Sequence, residues 1–268
     1  MIIIAIVLAT LTAGIGSVWL AAGLMKLGVL GKSSRPSAGF DAQHLLSLAA
    51  GALLATAFMH LLPEAFESQV GAKALFVTLL VGVVFFFLLD KAELWHHGHE
   101  HHQGHDNQHD HGEHGGSHPS GAWAVLTGDS VHCFGDGILI ASAFMADIRL
   151  GVVAALAVLA HEVPHHIGDL IVLGRGSGTR SAALLKVSLA GAVTTLGGLV
   201  GWWLVDRLQG LLPYFLVVAS SSFIYVALAD LIPQLQRRLG ARETAAQIGW
   251  LMAGIALVAA VSSLVHAD

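Results

Sequence analysis

The sequence predicts an all-α integral membrane protein with eight transmembrane helices, and three observations lead to this prediction. Of its 268 residues, 55% are hydrophobic and only 12% are charged, whereas an ordinary soluble domain has about 25% charged residues. The mean hydropathy is +0.71. The apolar residues fall in runs of the roughly 20 residues that a helix needs to cross a bilayer. A lipid bilayer is therefore the expected environment, and the net charge of −5 does not suggest a nucleic-acid partner.

Eight apolar runs account for the predicted helices, which we number in chain order. They lie near 1–25, 43–62, 74–90, 122–146, 150–173, 182–205, 211–233 and 246–265. The first run follows Met1 without the basic residues of a secretory signal and is too long for its apolar core, so we expect it to stay as helix 1. The connections leave no room for a separate soluble domain, and residues 1–268 are predicted to form one transmembrane domain. The single cysteine, Cys133, excludes an internal disulfide.

Basic residues are divided unevenly between alternate connections, and this predicts the orientation. One set of connections holds ten lysines and arginines, and the other set holds three. The richer set lies at 26–35, 91, 175–186 and 237–242. Because basic connections tend to stay in the cytoplasm, we expect this set to be cytoplasmic and both termini to lie outside the cytoplasmic membrane.

The longest connection, residues 91–121, is rich in histidine. It reads KAELWHHGHEHHQGHDNQHDHGEHGGSHPSG, with ten histidines and almost nothing able to form a core. Such a composition predicts a disordered segment, here on the cytoplasmic side. Two interpretations stay open. The segment is either a solvated spacer with a biased composition or a weak metal buffer, since neutral imidazole is the commonest metal ligand in proteins.

The stretch HEVPHHIGD, residues 161–169, places five ligand-type side chains inside apolar sequence. At about 100° per residue these side chains share one face of helix 5, and helix 4 repeats the pattern within LTGDSVHCFGDGILIASAF. The residues concerned are Asp129, His132, Cys133 and Asp136 in helix 4, and His161, Glu162, His165, His166 and Asp169 in helix 5. We expect the two stripes to face each other near the middle of the membrane.

The acidic groups of these stripes need a counter-charge. An ionised carboxylate at the bilayer centre costs about 2.5 to 3.5 kcal/mol, and the apolar runs of helices 4 and 5 contain no lysine or arginine. Imidazole and carboxylate together suit divalent zinc, iron, manganese, cobalt and cadmium. The predicted metal ligands are His132, Cys133, Asp136, His161, Glu162, His165 and Asp169. The ion is expected as a transported substrate, with no resident cofactor.

Two segments in other helices resemble each other. AFMHLLPEA, residues 57–65 in helix 2, aligns with ALADLIPQL, residues 227–235 in helix 7. The two helices cross in opposite directions on the predicted orientation, which indicates a weak inverted repeat of helices 1–3 and 6–8, as in many secondary transporters. Chance similarity of two apolar helices is the alternative. The candidates for pathway or supporting groups are His60, Glu64, Asp129, His166 and Asp230.

Functions of different classes fit a buried metal site. HEVPH satisfies HExxH, in which two histidines bind zinc and the glutamate is the general base of a metalloprotease. An intramembrane zinc protease is therefore an alternative, and a metal sensor or receptor is another. Pro164 bends the helix inside the motif, and the chain offers more ligands than the three protein ligands and water of a catalytic zinc. This excess favours a relay of weaker sites, so we predict transport of divalent transition-metal ions and no enzyme activity.

The chain also resembles a known family over most of its length. VHCFGDG is similar to the helix 4 signature HNxxDG of the ZIP (Zrt/Irt-like) metal transporters, and HEVPHHIGD is similar to their helix 5 signature HExPHExGD. AFMHLLPEA, FIYVALADLIPQL, and FFLLDK with the histidine-rich loop after it also look like the corresponding family segments. We expect a bacterial member close to the branch with the longer helix 5 motif.

The resemblance implies a homodimer that moves zinc, or a similar ion such as iron, manganese or cadmium, into the cytoplasm. It also implies a site of one or two ions lined by His132, Asp136, His161, Glu162 and His165, with Asp169 further along the inward route. Two residues depart from the family pattern. Cys133 stands where asparagine is usual, and His166 replaces the second glutamate of helix 5. A softer sulfur ligand and one lost carboxylate would change the metal preference, so the selectivity of the family is not carried over.

Overall fold

The computed structural model describes residues 1–27, 42–98, 119–176, 179–235 and 240–265. Within these residues the regular structure is helical, and eight long helices follow one another in the predicted order. They are α1 (Ile2–Leu11, Thr12–Gly16 and Ser17–Lys26), α2 (Ala42–Thr56, Ala57–Leu61 and Leu62–Phe66), α3 (Ala72–Gly98), α4 (Pro119–Ala146), α5 (Ile148–Gly176), α6 (Arg180–Arg207), α7 (Leu212–Tyr225, Val226–Leu231 and Ile232–Leu235) and α8 (Ala241–Val265), with a 3-10 turn at Gln209–Leu211. The middle segment of α1, α2 and α7 is π-helical.

Seven of the eight helices in the described residues are long and apolar enough to cross a membrane, and α4 is the exception. α4 has 28 residues, which is ample length, but it carries several of the polar side chains predicted to bind metal. Its lower hydropathy is therefore a consequence of those side chains. The prediction of an all-α membrane protein is confirmed.

α2 and α7 contain a π-helical turn at the same place in the repeated sequence. In each helix the residue before a proline donates its N–H to a carbonyl five residues earlier, Leu62 to Ala57 in α2 and Ile232 to Ala227 in α7. Pro63, like its counterpart in α7, has no N–H to donate, and its ring crowds the preceding turn. A wider turn accommodates the proline without ending the helix. The similarity of the two sequences is thus accompanied by the same local geometry.

The packing of the helices follows the same inverted repeat. The first segment of α2 packs against the π-helical turn of α7, and the first segment of α7 packs against that of α2. α3 lies against α7, and its counterpart α8 lies against α2. The contact between α2 and α8 is close, because a Cβ on Gly51 of α2 would overlap the Leu251 carbonyl of α8. This arrangement supports the inverted repeat of α1–α3 and α6–α8.

Glycines bring α1, α4 and α6 close together. A Cβ on Gly14 of α1 would overlap the Gly191 carbonyl of α6, and a Cβ on Gly137 of α4 would overlap the Thr194 carbonyl of α6. Small residues allow this approach between helices in a membrane. α4 is therefore held against α6, and its polar stripe is left to face α5.

α4 and α5 form a tight hairpin around one turn residue, Asp147. The Asp147 carboxylate accepts hydrogen bonds from the N–H groups of Arg149, at 2.7 Å, and Leu150, at 3.3 Å. These bonds cap the start of α5. His132 and Glu162 lie equally far from Asp147 along the chain, so the hairpin brings the two predicted stripes to the same level.

α3 and α4 extend into the two ends of the histidine-rich segment, and the disorder predicted for the rest of residues 91–121 stays a prediction. α3 continues to Gly98, beyond its predicted end near residue 90, and α4 begins at Pro119, before its predicted start near residue 122. The sequence KAELWHH contains no helix breaker ahead of Gly98, and proline is favoured in the first turn of a helix. Residues 99–118 lie outside the described residues.

Candidate metal site

The structure brings the polar stripes of α4 and α5 together as two groups of four side chains. In each group, one ligand-type atom from every member lies within 4.8 Å of the others. We name the first group the histidine half-site; it consists of His132, Asp136, His161 and Glu162. We name the second group the sulfur half-site; it consists of Asp129, Cys133, Glu162 and His166.

In the histidine half-site, two imidazole nitrogens face two carboxylates. His161 Nε2 lies 3.1 Å from Asp136 Oδ2 and 3.4 Å from Glu162 Oε1. His132 Nε2 lies 3.3 Å from Glu162 Oε1 and 4.0 Å from Asp136 Oδ2. His161 Nδ1 lies 3.2 Å from the Ala157 carbonyl, which favours a proton on Nδ1 and leaves Nε2 as the metal-binding atom.

In the sulfur half-site, a thiol joins an imidazole and two carboxylates. His166 Nε2 lies 3.1 Å from Glu162 Oε2 and 3.7 Å from Asp129 Oδ1. Cys133 Sγ lies 3.7 Å from Glu162 Oε2 and 3.6 Å from Asp129 Oδ1. Nitrogen, sulfur and carboxylate oxygen are the ligand types that zinc takes in proteins.

Glu162 belongs to both half-sites. Its Oε1 faces His132 and His161, and its Oε2 faces His166. The residue is 1% exposed, so its charge is withdrawn from water and directed at these groups. One carboxylate placed in this way can bridge two neighbouring ions, and the geometry fits either one ion or two.

Several buried polar atoms of the site make no hydrogen bond of acceptable geometry, although some of them lie close to a charged group. Within the part of the chain that the structure describes, these atoms are Asp129 Oδ2, Asp136 Oδ2, Glu162 Oε1 and His166 Nε2. The ion-pair partners found for the three carboxylates are histidines. An unsatisfied buried polar group costs about 1 to 3 kcal/mol. In a purely structural polar network, hydrogen bonds would satisfy these atoms. Here a divalent cation would satisfy several of them at once.

His165, a predicted ligand, lies beside the histidine half-site rather than in it. The centroid of its ring lies 5.6 Å from that of His132 and 5.9 Å from that of His161. His165 therefore forms a cluster of three imidazoles with these two residues.

Asp129 and His166 lie within the sulfur half-site, and Asp169 interacts with both of them. Asp129 and His166 were predicted to be supporting groups, but each contributes a ligand-type atom to this half-site. Asp169 was predicted to be a ligand, and it lies outside the close group while interacting electrostatically with both of these residues. The sequence could place all three on the right helix face, but it could not rank their distances from an ion.

The structure places His60 and Glu64 away from the half-sites. They line a separate cavity of about 390 Å³, which Asp147 and Arg149 also line at the turn between α4 and α5. Asp230 lies in the π-helical turn of α7, and its side chain lies outside the described part of the structure.

Ser17, which the sequence analysis did not single out, contacts the sulfur half-site from α1. Its Oγ lies 2.9 Å from His166 Nδ1, although 149 positions separate the two residues along the chain. A lone serine in an apolar helix is common and carries no sign of such a contact.

Comparison with known proteins gives one family and several relatives. The model of the family described as ZIP zinc transporter matches residues 90–262, a range that includes both half-sites. Zinc transporter ZIP13 of Pongo abelii is 29% identical over 256 residues, which cover 88% of this chain and 72% of the relative. Zinc transporter ZIP10 of Homo sapiens is 33% identical over 122 residues, which cover 46% of this chain and 15% of the relative. Zinc transporter ZIP4 of Homo sapiens is 38% identical over 112 residues, which cover 41% of this chain and 17% of the relative. The chain thus spans most of the length of ZIP13 and less than a fifth of ZIP10 and ZIP4.

Proposed function

The chain belongs to the ZIP zinc transporter family, and from that premise we propose that it transports divalent transition-metal ions across a membrane through the two half-sites between α4 and α5. The observation that carries this proposal is the position of Glu162, which is buried and shared between two groups of metal-type ligands. Zinc is the proposed main ion, and iron, manganese and cadmium are the ions to compare with it. The ion is the substrate that passes through the site.

The two departures from the family pattern bear on selectivity. Sulfur ligands favour softer ions such as zinc and cadmium, whereas carboxylate sites suit manganese. Cys133 brings sulfur to within 3.7 Å of the shared Glu162 carboxylate, and His166 supplies a neutral ligand where the family pattern has a carboxylate. We therefore expect the sulfur half-site to favour the softer ions.

Transport requires that an ion can leave as well as bind. His165 lies beside the histidine half-site, and Asp169 interacts electrostatically with Asp129 and His166 of the sulfur half-site. These two residues would offer a departing ion its next partners, so that no single site needs to hold it tightly. A site with more ligand-type side chains than one ion requires can thus pass the ion from one set of ligands to the next.

The helix packing suggests which helices move together in an alternating-access cycle. α4 packs more extensively on α6 than on its partner α5, and α1 contacts both α5 and α6. α5 meets α2 and α8 through small apolar residues, among them Ala52, Val153 and Val258. We therefore place α1 and α6 with the α4–α5 hairpin in one unit, and α2, α3, α7 and α8 in the other.

The direction of transport is proposed to be into the cytoplasm. The excess of basic residues in alternate connections supports an orientation with both termini outside and the histidine-rich segment inside. The cytoplasmic membrane of the cell is the proposed location. On this orientation the cavity lined by His60 and Glu64 opens at the outer side, at the end of α2.

A homodimer is proposed for the assembled transporter. α3 and α8 bury the smallest share of their apolar spans within the protein, so their outer faces meet lipid or a second copy of the chain. Contact between copies would lie away from the half-sites, because α4 and α5 supply every ligand of both.

The metalloprotease alternative has no support in these findings. The members of the ZIP family are transporters and not enzymes. In HExxH proteases the glutamate is a general base rather than a ligand, whereas Glu162 lies 3.4 Å from His161 Nε2 and 3.3 Å from His132 Nε2. That position is suited to metal coordination.

Uptake of radioactive metal into proteoliposomes tests the proposed function. Wild-type protein is expected to accumulate zinc, and Asp136→Ala and His165→Ala are expected to reduce that uptake. Asp206→Ala is the matched control, because Asp206 is an exposed carboxylate at the end of α6 and should be dispensable. Unchanged uptake in Asp136→Ala would remove the proposed site. Cleavage of a membrane-spanning peptide that Glu162→Gln abolishes would instead favour the protease.

A further inference from the structure

Ser17 of α1 holds the imidazole of His166 from the side opposite the ligands. Ser17 Oγ lies 2.9 Å from His166 Nδ1, while the other ring nitrogen, Nε2, lies 3.1 Å from Glu162 Oε2. Ser17 and His166 are both 0% exposed, so water does not compete for this hydrogen bond. The ring is therefore fixed between α1 and the sulfur half-site.

The direction of this hydrogen bond follows from a second contact of the serine. Ser17 Oγ lies 2.5 Å from the carbonyl oxygen of Gly14, which can only accept. A serine hydroxyl has one proton, and here it is donated to Gly14. Towards His166 the serine oxygen can then only accept. The proton of the neutral imidazole therefore lies on Nδ1, and the lone pair of Nε2 faces the ligands.

We propose that Ser17 is a positioning residue for the sulfur half-site, which holds His166 in the tautomer and orientation in which Nε2 binds the transported ion. This inference rests on the proposed function, since it concerns the same ion path. An acceptor for the second N–H of a ligating histidine fixes the ring and raises its basicity, and loss of such a partner typically lowers metal affinity about 10- to 100-fold.

The position of Ser17 is in turn fixed by backbone packing. Gly14 lies so close to Gly191 of α6 that neither has room for a side chain. The Gly14 carbonyl therefore cannot withdraw from Ser17 unless α1 separates from α6. α1 supplies none of the side chains of the two half-sites, yet through Ser17 it controls the orientation of the His166 imidazole.

Binding of Co(II) to the purified full-length protein tests the inference. Cys133 is the single cysteine of the chain, so the charge-transfer absorption of a Co(II)–thiolate bond reports on the sulfur half-site and not on the histidine-rich segment. We expect Ser17→Ala to weaken the binding measured from this band about 10- to 100-fold. Ser220→Ala is the matched control and should bind as the wild type does. Ser220 is also 0% exposed, but it donates to Leu216 of its own helix, at 2.9 Å.

A double-mutant cycle separates positioning from a general loss of structure. His166→Ala should lower the affinity by itself, and the addition of Ser17→Ala should then have no further effect, because the serine acts through the ring. A further loss in the double variant, or wild-type affinity in Ser17→Ala, would overturn the inference. Absence of the band in the wild type would also overturn it. The proposed function would still stand if the same protein takes up metal in proteoliposomes, and it would fall as well if uptake is absent.

Discussion

The carboxylate of Glu162 on α5 lies 3.3 Å from the imidazole of His132 on α4. His132 precedes Asp147 by as many residues as Glu162 follows it, so the contact joins α4 and α5 at the same height above the turn. The second oxygen of the same carboxylate lies 3.1 Å from His166, so one side chain connects the two half-sites. An ion in either half-site is therefore exposed to the charge of Glu162.

Replacement of Glu162 by Gln should reduce zinc uptake at least about tenfold, because it removes a charged ligand that both half-sites share while keeping the shape of the side chain. The measurement is the initial rate of uptake in proteoliposomes at equal protein content. Glu243→Gln provides the control, since Glu243 is exposed at the start of α8 and should leave the rate unchanged. Wild-type uptake by Glu162→Gln would show that the shared carboxylate is not needed.

Replacement of Cys133 by Asn introduces the residue that the family pattern has at this position. We expect it to lower the ratio of cadmium uptake to manganese uptake several-fold, because a soft sulfur ligand is exchanged for a hard oxygen ligand. Both radioactive ions would be supplied to the same vesicles. Ser142→Ala is the control, since Ser142 is a buried residue of α4 that donates to Ile138 of its own helix. An unchanged ratio in Cys133→Asn would mean that the sulfur does not contact the ion.

The sequence predicted the two polar stripes because helical periodicity alone places residues three and four apart on one face. The repeated motif also predicted that α2 and α7 are structurally equivalent. A proline that follows Leu62 in α2 and Ile232 in α7 produces the same π-helical hydrogen bond in both helices. Local patterns of this kind depend on a few neighbouring residues, so they can be read without knowledge of the tertiary structure.

The roles within the site could not be predicted in the same way. Asp129, Asp136 and Glu162 are chemically alike, and only the way in which α4 and α5 face each other makes Glu162 the carboxylate that both half-sites share. The contact of Ser17 with His166 joins residues 149 positions apart and depends on how closely α1 packs on α6. α3 and α4 extend beyond the apolar runs that predict them, because an apolar run marks only the part of a helix that crosses the membrane. The sequence after residue 90 contains no helix breaker before Gly98.

Replacement of Gly14 by Ala should destabilise the protein by about 1 to 3 kcal/mol, the usual cost of overfilling a tightly packed position. The added methyl group would overlap the Gly191 carbonyl of α6. Gly23→Ala is the matched control on the same helix, because a Cβ there meets nothing within 4 Å. Thermal unfolding in detergent compares the two variants. Equal stability of both would mean that α1 and α6 separate at little cost, which would also weaken the argument for a fixed Ser17.

Deletion of residues 99–118 should alter the regulation of transport while uptake itself persists. Both half-sites lie in α4 and α5, so the deletion removes histidines but none of the ligands of either half-site. The measurement compares initial uptake rates of wild-type and deleted protein over a range of external zinc concentrations. The deletion is expected to change how the rate responds to zinc, with a substantial rate retained. Complete loss of uptake in a correctly folded deletion variant would show that the segment belongs to the transport path.

Cysteine labelling tests the orientation on which the inward direction of transport depends. In a Cys133→Ser background, Gly71→Cys and Gly240→Cys place thiols at two exposed glycines, one just before α3 and the other just before α8. A membrane-impermeant maleimide should label Gly71→Cys in intact cells, because the connection between α2 and α3 is expected outside. It should label Gly240→Cys only after permeabilisation, because the connection between α7 and α8 carries the basic residues expected in the cytoplasm. The two sites serve as controls for each other. The opposite pattern would reverse the membrane orientation, and with it the proposed side from which the ion enters.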